Sequence, residues 1–110
     1  MSLSCLIIAR NEEKNLEKCL TNLIFSDEIV VVLDRSIDNS KEISTKFTHS
    51  VFEGHWEFEG DRRNFGISKC SMKWILEVDA DEIVSKKLAK EIIKVTKESN
   101  HDYHYINLLN

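Results

Sequence analysis

Runs of consecutive apolar residues alternate along this chain with segments in which apolar residues recur every three or four positions. Leu3 to Ala9 is almost wholly apolar, as expected of a strand buried on both faces. Arg10-Asn11-Glu12-Glu13 breaks that run. Leu16, Cys19, Leu20, Leu23 and Ile24 then follow at helical spacing. Asn11 is the expected helix cap, and Glu12 and Glu13 lie where a helix start favours negative charge. Glu28 to Leu33, centred on Ile29-Val30-Val31-Val32, is the clearest strand, and Asp34 to Ser40 is a polar loop. Ile43 and Phe47 mark a short helix from Ser40 to Phe47, and Ser50-Val51-Phe52 a third strand. His55 to Gly60 reads as loop. Arg62 to Ser71 reads as a helix that turns Phe65, Ile67 and Cys70 toward the core. Lys73 to Val78 is a fourth strand, Ser85 to Glu98 a long helix and Tyr103 to Leu109 a last strand. Strand and helix in alternation predict an α/β fold: a parallel sheet with right-handed crossovers and helices on both faces.

The 110 residues suit one domain, residues 1–110. A formal charge of −4 gives no electrostatic case for nucleic-acid binding. The cysteines, Cys5, Cys19 and Cys70, are odd in number and lack zinc-knuckle spacing. They read as reduced thiols of a cytoplasmic protein, with Cys5 and Cys19 packing as small apolar groups. No stretch approaches the roughly 20 apolar residues of a membrane span, and no signal peptide is visible. Proline is absent and glycine scarce, so turns must rely on Asn, Asp and Ser.

A parallel sheet would bring three polar stretches to one edge: Arg10-Asn11-Glu12, Asp34 to Asp38, and Asp79-Ala80-Asp81-Glu82. Each follows a strand. Clustered carboxylates repel unless a cation neutralises them, and hard oxygen ligands suit Mg²⁺ or Mn²⁺, which also hold substrate phosphates. The plainer reading is solvated polarity at strand ends, which does not account for three acidic clusters on one rim. Asp34 could accept hydrogen bonds from a base or ribose, and Arg62 or Arg63, near a helix start, could contact phosphate. There is no Gly-x-Gly-x-x-Gly turn and no P-loop, so dinucleotide and P-loop readings are weak.

With these residues in view, the chain resembles the family 2 glycosyltransferases, nucleotide-diphospho-sugar transferases of the glycosyltransferase A-type fold. Its nearest echo is the lipopolysaccharide-core branch. Ser4 to Leu16 looks like the family's opening strand and Asn-Glu-Glu turn. Asp27 to Asp38 looks like the second strand and its Asp-x-Ser-x-Asp loop. Arg62-Arg63-Asn64-Phe65-Gly66 resembles the basic helix start, and Trp74 to Glu82 the Asp-x-Asp motif with a trailing Glu. The resemblance implies a Rossmann-like, mostly parallel, truncated glycosyltransferase A-type sheet. It implies that Ala9, Asn11 and Glu12 border the nucleotide, that Asp34 faces the base or ribose and that Arg63 approaches the diphosphate. Asp79 would sit near the ribose and metal, and Asp81 would be the main ligand of Mn²⁺ or Mg²⁺. The implied partners are a nucleotide-sugar donor and a glycan or lipid-linked acceptor, at the inner face of the membrane or free in the cytoplasm.

Three positions depart from the family pattern. Leu33 stands where many members carry a base-recognising acid, Arg35 replaces a frequent glycine, and Ile37 replaces a frequent threonine. In inverting members the general base and the acceptor half follow the Asp-x-Asp strand. Glu91 and Glu98, on a surface helix, are poor substitutes. The chain is therefore expected to be the donor-binding half: a fragment, a truncated product, or a member completed by another chain; a homo-oligomer is among the expected assemblies. The alternatives are a non-catalytic nucleotide-binding or assembly module, and, ranked low, a phosphotransfer enzyme with Asp79 as nucleophile. His101-Asp102-Tyr103-His104 reads as a solvated turn rather than a metal site. His49 and His55 read as surface residues, and Trp56 and Phe58 as packing rather than sugar-facing aromatics. The face carrying Lys86, Lys90, Lys94 and Lys97 reads as solvated rather than membrane-bound.

Overall fold

Elements alternate without exception in a computed structural model that describes residues 2–98 and 104–107. They are β1 (Leu3–Ala9), α1 (Glu13–Thr21), β2 (Glu28–Asp34), α2 (Ser40–Thr45), β3 (Val51–Gly54), α3 (Glu59–Lys69), β4 (Trp74–Asp79), α4 (Lys86–Glu98) and β5 (His104–Asn107). The strands form one sheet in the order β3-β2-β1-β4-β5, and every neighbouring pair is parallel. The chain winds outward from β1 to β2 and β3, then crosses back to β4. The strand order therefore reverses between β1 and β4, where open α/β sheets bind ligands at the carboxyl ends.

The strands are apolar on both sides because both sides are covered. On one face Cys5, Ile7, Val31, Leu33, Leu76 and Val78 pack against Leu16, Cys19 and Leu20 of α1 and Ala89 and Ile92 of α4. On the other, Leu6, Val30 and Val32 pack against Phe65 and Ile67 of α3, with Phe52 and Trp56 beside them. Cys5 and Cys19 are buried as small apolar groups, and burial pushes both thiols up to about 12. Helix α3 lies close on the sheet: a Cβ on Gly66 would stand 2.8 Å from Leu6 Cδ1. Two ion pairs fix it across three strands. Arg62 Nη1 donates to Asp34 of β2 at 2.9 Å, and Arg63 Nε to Glu77 of β4 at 3.0 Å.

Some boundaries differ from the sequence reading. Helix α1 begins after Glu12, not on an Asn11 cap; Asn11 has a φ of 52°, outside any helix. It ends at Thr21, so Leu23 reaches the core from a turn and Ile24 stays exposed. Helix α2 stops at Thr45, and Phe47 packs from the following turn. Helix α3 starts earlier than Arg62, at Glu59, because acidic Glu59 and Asp61 supply a polar first turn without apolar periodicity. The third strand runs Val51–Gly54 rather than over Ser50-Val51-Phe52, and Asp34 is the last residue of β2 rather than loop. Gly54 is covered by the Trp56 indole, which leaves no room for a side chain. His101, Asp102 and Tyr103 lie outside the described residues.

Glu77 is buried and Arg63 is 31% exposed, so removing the carboxylate strands a half-solvated cation. Glu77→Ala is expected to cost about 2 kcal/mol, below the range for a fully buried pair, and Glu77→Gln about half of that. Urea unfolding measures both; a loss under about 0.5 kcal/mol in Glu77→Ala would show that α3 is held by apolar contact alone.

Candidate functional site

The turn after β4 is built by its own acids. The Glu82 N–H donates to the Asp79 carbonyl at 2.9 Å, and the Asp79 N–H donates to Glu82 Oε1 at 3.0 Å. This two-way closure holds Ala80 inward as a buried residue and leaves Asp81 exposed. Across the reversal point, the β1–α1 turn is latched to the β2–α2 loop. The Asn11 N–H donates to Ser36 Oγ, and Asn11 Oδ1 accepts from the Ile37 N–H at 2.8 Å. The Glu13 N–H donates to Asp38, and the Glu13 carboxylate accepts from the Asn39 N–H. Asn11 tolerates its left-handed backbone because Asn adopts that region more readily than most residues. Its side chain is thus spent on tying two loops together.

Between these turns lies an open cleft of about 230 Å³, lined by Ile8, Ala9, Arg10 and Glu12 from the end of β1, Arg62 from α3, and Asp79, Ala80 and Asp81. The structure brings together Ala9, Glu12, Asp79 and Asp81, all expected in the site. It leaves Asn11, Asp34 and Arg63 off the cleft lining. Arg63 turns to Glu77 and Glu59; its neighbour Arg62 faces the cleft instead. Arg10 was not singled out among the expected site residues, although its place directly after β1 could have marked it. A larger hollow of about 400 Å³ lies by the amino ends of β2 and β3, among Asp27, Thr48 and His49, and contains none of the expected residues.

The two key carboxylates are in opposite electrostatic states. Asp34 is buried, which alone would raise its pKa, but hydrogen bonds from Arg35, Arg62 and the Trp56 N–H outweigh burial and hold it below the ordinary value. Among the described residues Asp79 has no ion-pair partner. Burial, with the nearby charges of Glu82, Asp81, Glu77 and Glu12, raises it. Arg62 keeps one buried donor, Nε, without a partner. Among the described residues no three His, Cys, Asp or Glu side chains are arranged to hold a metal ion by themselves. His49 and His55 are exposed, as are Lys86, Lys90, Lys94, Lys97 and Glu91. Trp56 packs against Phe65 with ring centroids 5.0 Å apart, whereas Phe58 is exposed. No helix among the described residues is long and apolar enough to cross a membrane.

This parallel sheet, with an acidic cleft at its reversal point, has the glycosyltransferase A-type architecture. The family model described as glycosyl transferase family 2 matches residues 4–108, and the chain belongs to that family. It is 31% identical over 101 residues to an uncharacterized glycosyltransferase of Rickettsia conorii, covering 91% of this chain and 36% of that protein. It is 30% identical over 93 residues to the lipopolysaccharide core biosynthesis glycosyltransferase LpsC of Rhizobium meliloti, covering 80% of this chain and 34% of LpsC. The crystal structure of S. aureus TarS 1-349 superposes with a TM-score of 0.72 at 25% identity, over 89% of this chain and 33% of that one. The chain thus spans about a third of the length of the relatives it matches.

The raised Asp79 has a consequence for stability. Its folded pKa lies above the unfolded value of 3.8, so the folded state resists losing that proton. The resulting penalty grows as pH rises from 3.8 through the folded pKa and is complete above it. Asp79→Asn is therefore expected to stabilise the cation-free protein by about 0.5–1 kcal/mol at neutral pH. The gain should vanish in acid below the unfolded pKa. Thermal melts across pH check the sign; a destabilised Asp79→Asn at neutral pH would contradict it.

Proposed function

We propose that this chain is the donor-binding half of a glycosyltransferase that moves a sugar from a nucleoside diphosphate to a glycan or lipid-linked acceptor. The observation that carries this reading is the meeting of Asp79, Asp81, Glu12 and Arg62 in one cleft at the strand-order reversal. Asp79 is a crowded carboxylate without a counter-cation, and Asp81 stands beside it with an exposed side chain. Two carboxylates are too few to cage an ion. Mg²⁺, however, is commonly held by one or two carboxylates plus substrate phosphates and waters. The donor set therefore fits Mn²⁺ or Mg²⁺ arriving with a diphosphate, with Asp81 as main ligand and Asp79 as the second. Such an ion would neutralise the departing diphosphate.

The chain's own part is binding and orientation. Arg62 lines the opposite wall and supports phosphate binding with its positive charge. Glu82 holds the Asp79–Asp81 turn rigid, so the cation's ligands are positioned before it arrives. Arg63, expected at the diphosphate, serves in this reading as an anchor of α3. The fold neighbour TarS has also been crystallised in complex with UDP. The likeness to LpsC makes an envelope glycan such as lipopolysaccharide core the favoured acceptor. The general base that would activate the acceptor hydroxyl is not assigned to any described residue.

Calorimetric titration with nucleoside diphosphates tests the reading. Binding should require Mn²⁺ or Mg²⁺ and fall by at least about tenfold in Asp81→Ala, which removes the main ligand. It should also weaken in acid as Asp79 takes up its proton, beginning above pH 3.8 because that carboxyl is raised. Cation-independent binding, or none by the folded protein, would favour an assembly module instead.

A further inference from the structure

Arg35 follows the last residue of β2 and adopts a φ of 53°, a left-handed backbone that costs a non-glycine residue about 1 kcal/mol. Its guanidinium turns back onto Asp34. Nε donates to Oδ1 at 3.0 Å and Nη2 to Oδ2 at 3.3 Å. The same carboxylate accepts from Arg62 at 2.9 Å and from the Trp56 N–H at 3.3 Å. Both oxygens of Asp34 are therefore taken, and the preceding residue, Leu33, is buried in the core. The carboxylate at the end of β2 offers no free acceptor to a ligand. The end of β2 offers a donor fork instead.

Asp34 uses only the Nε–Nη2 side of the guanidinium. The Nη1–Nη2 end, with two parallel N–H bonds, has no partner among the described residues, and the side chain is 35% exposed. Arg62, which lines the cleft, shares Asp34 with Arg35, so this fork lies one carboxylate away from the cleft wall. Neighbouring strands are about 4.8 Å apart, so with β1 between them the end of β2 stands roughly 10 Å from the end of β4. One phosphate and a ribose bridge that span. A nucleotide anchored by its diphosphate at Asp79 and Asp81 and laid across β1 would bring its base to Arg35.

We infer that Arg35 selects the base, and that it selects one presenting two adjacent acceptors: guanine, through O6 and N7, or cytosine, through O2 and N3. The inference rests on the nucleotide reading above. A guanidinium fork matches that edge with two parallel hydrogen bonds. Uracil sets an N–H beside each carbonyl, and adenine sets its amino group beside N1 and N7. Each of those meets donor with donor, and Asp34 has no lone pair left to receive them. The fork is pre-set because Asp34 fixes the guanidinium plane.

The test titrates GDP, UDP, ADP and CDP, each with Mn²⁺, into the chain and into Arg35→Gly and Arg35→Lys. Glycine adopts the left-handed backbone freely, so the first variant keeps the turn; lysine keeps the charge and loses the fork. Circular dichroism confirms that each is folded. GDP and CDP should bind about tenfold or more tighter than UDP and ADP, as expected of one bidentate pair. Both variants should level the four to within about threefold, since only non-base contacts remain. A preference for UDP or ADP, or a GDP and CDP preference that survives in Arg35→Gly, overturns the assignment. Failure of all four to bind the folded wild-type chain overturns the nucleotide reading itself and this inference with it.

Discussion

Two adjacent arginines at the start of α3 decide what the carboxyl edge of this sheet can do. Arg62 reaches Asp34 on β2, and Arg63 reaches Glu77 on β4. The helix is thereby drawn over the central strand, close enough that only glycine fits at position 66 against Leu6. Apolar packing of Phe65 and Ile67 would hold a helix somewhere on this face, because the hydrophobic effect has no direction. Charge-assisted hydrogen bonds have direction. They fix where the helix starts and so where Arg62 enters the cleft.

The same bonds divide the acids of the rim into two kinds. Asp34 and Glu77 have arginine partners and serve the architecture. Asp79 and Asp81 have none, and the shifts of Asp34 and Asp79 run in opposite directions for that reason. A chain with a net negative charge could have paired all of its rim carboxylates with surface lysines. The lysines of α4 instead stand exposed along that helix. Unpaired negative charge is left at the strand-order reversal, where an arriving cation gains from it.

The fold was legible because its main signals are local. Leu3–Ala9 and the Ile29–Val32 run are too apolar to be anything but strands covered on both faces, and the helices between them follow the 3.6-residue period. Boundaries that failed were those set by tertiary partners. Asn11 looks like a cap, but its side chain is claimed by Ile37, 26 positions away. The first turn of α3 is polar, so nothing periodic announces Glu59. In the site, residue types were readable but partners were not. Arg62 and Arg63 are equivalent in sequence; a single residue step, about 100° around a helix, sends one to the cleft wall and the other to Glu77. Asp34 was expected to face a ligand, and its sequence neighbours gave no sign that Arg62 would occupy it.

Departures from the family pattern become coherent once the β2 loop is seen as one unit. An arginine at position 35 is poorly suited to a left-handed backbone, yet it is held there, and the hold comes from both sides. Asn11 pins Ser36 and Ile37 from the β1 turn, and Asp34 anchors the guanidinium. Replacing an acid with Leu33 removes an acceptor from this corner, while Arg35 adds donors to it. Either change alone would leave a site with a missing or a repelling group. Together they exchange one hydrogen-bonding polarity for the other at the end of β2, while the acidic polarity at the end of β4 is kept. In the proposed reading the two ends therefore address different parts of the ligand: the cation and diphosphate at β4, and the base at β2.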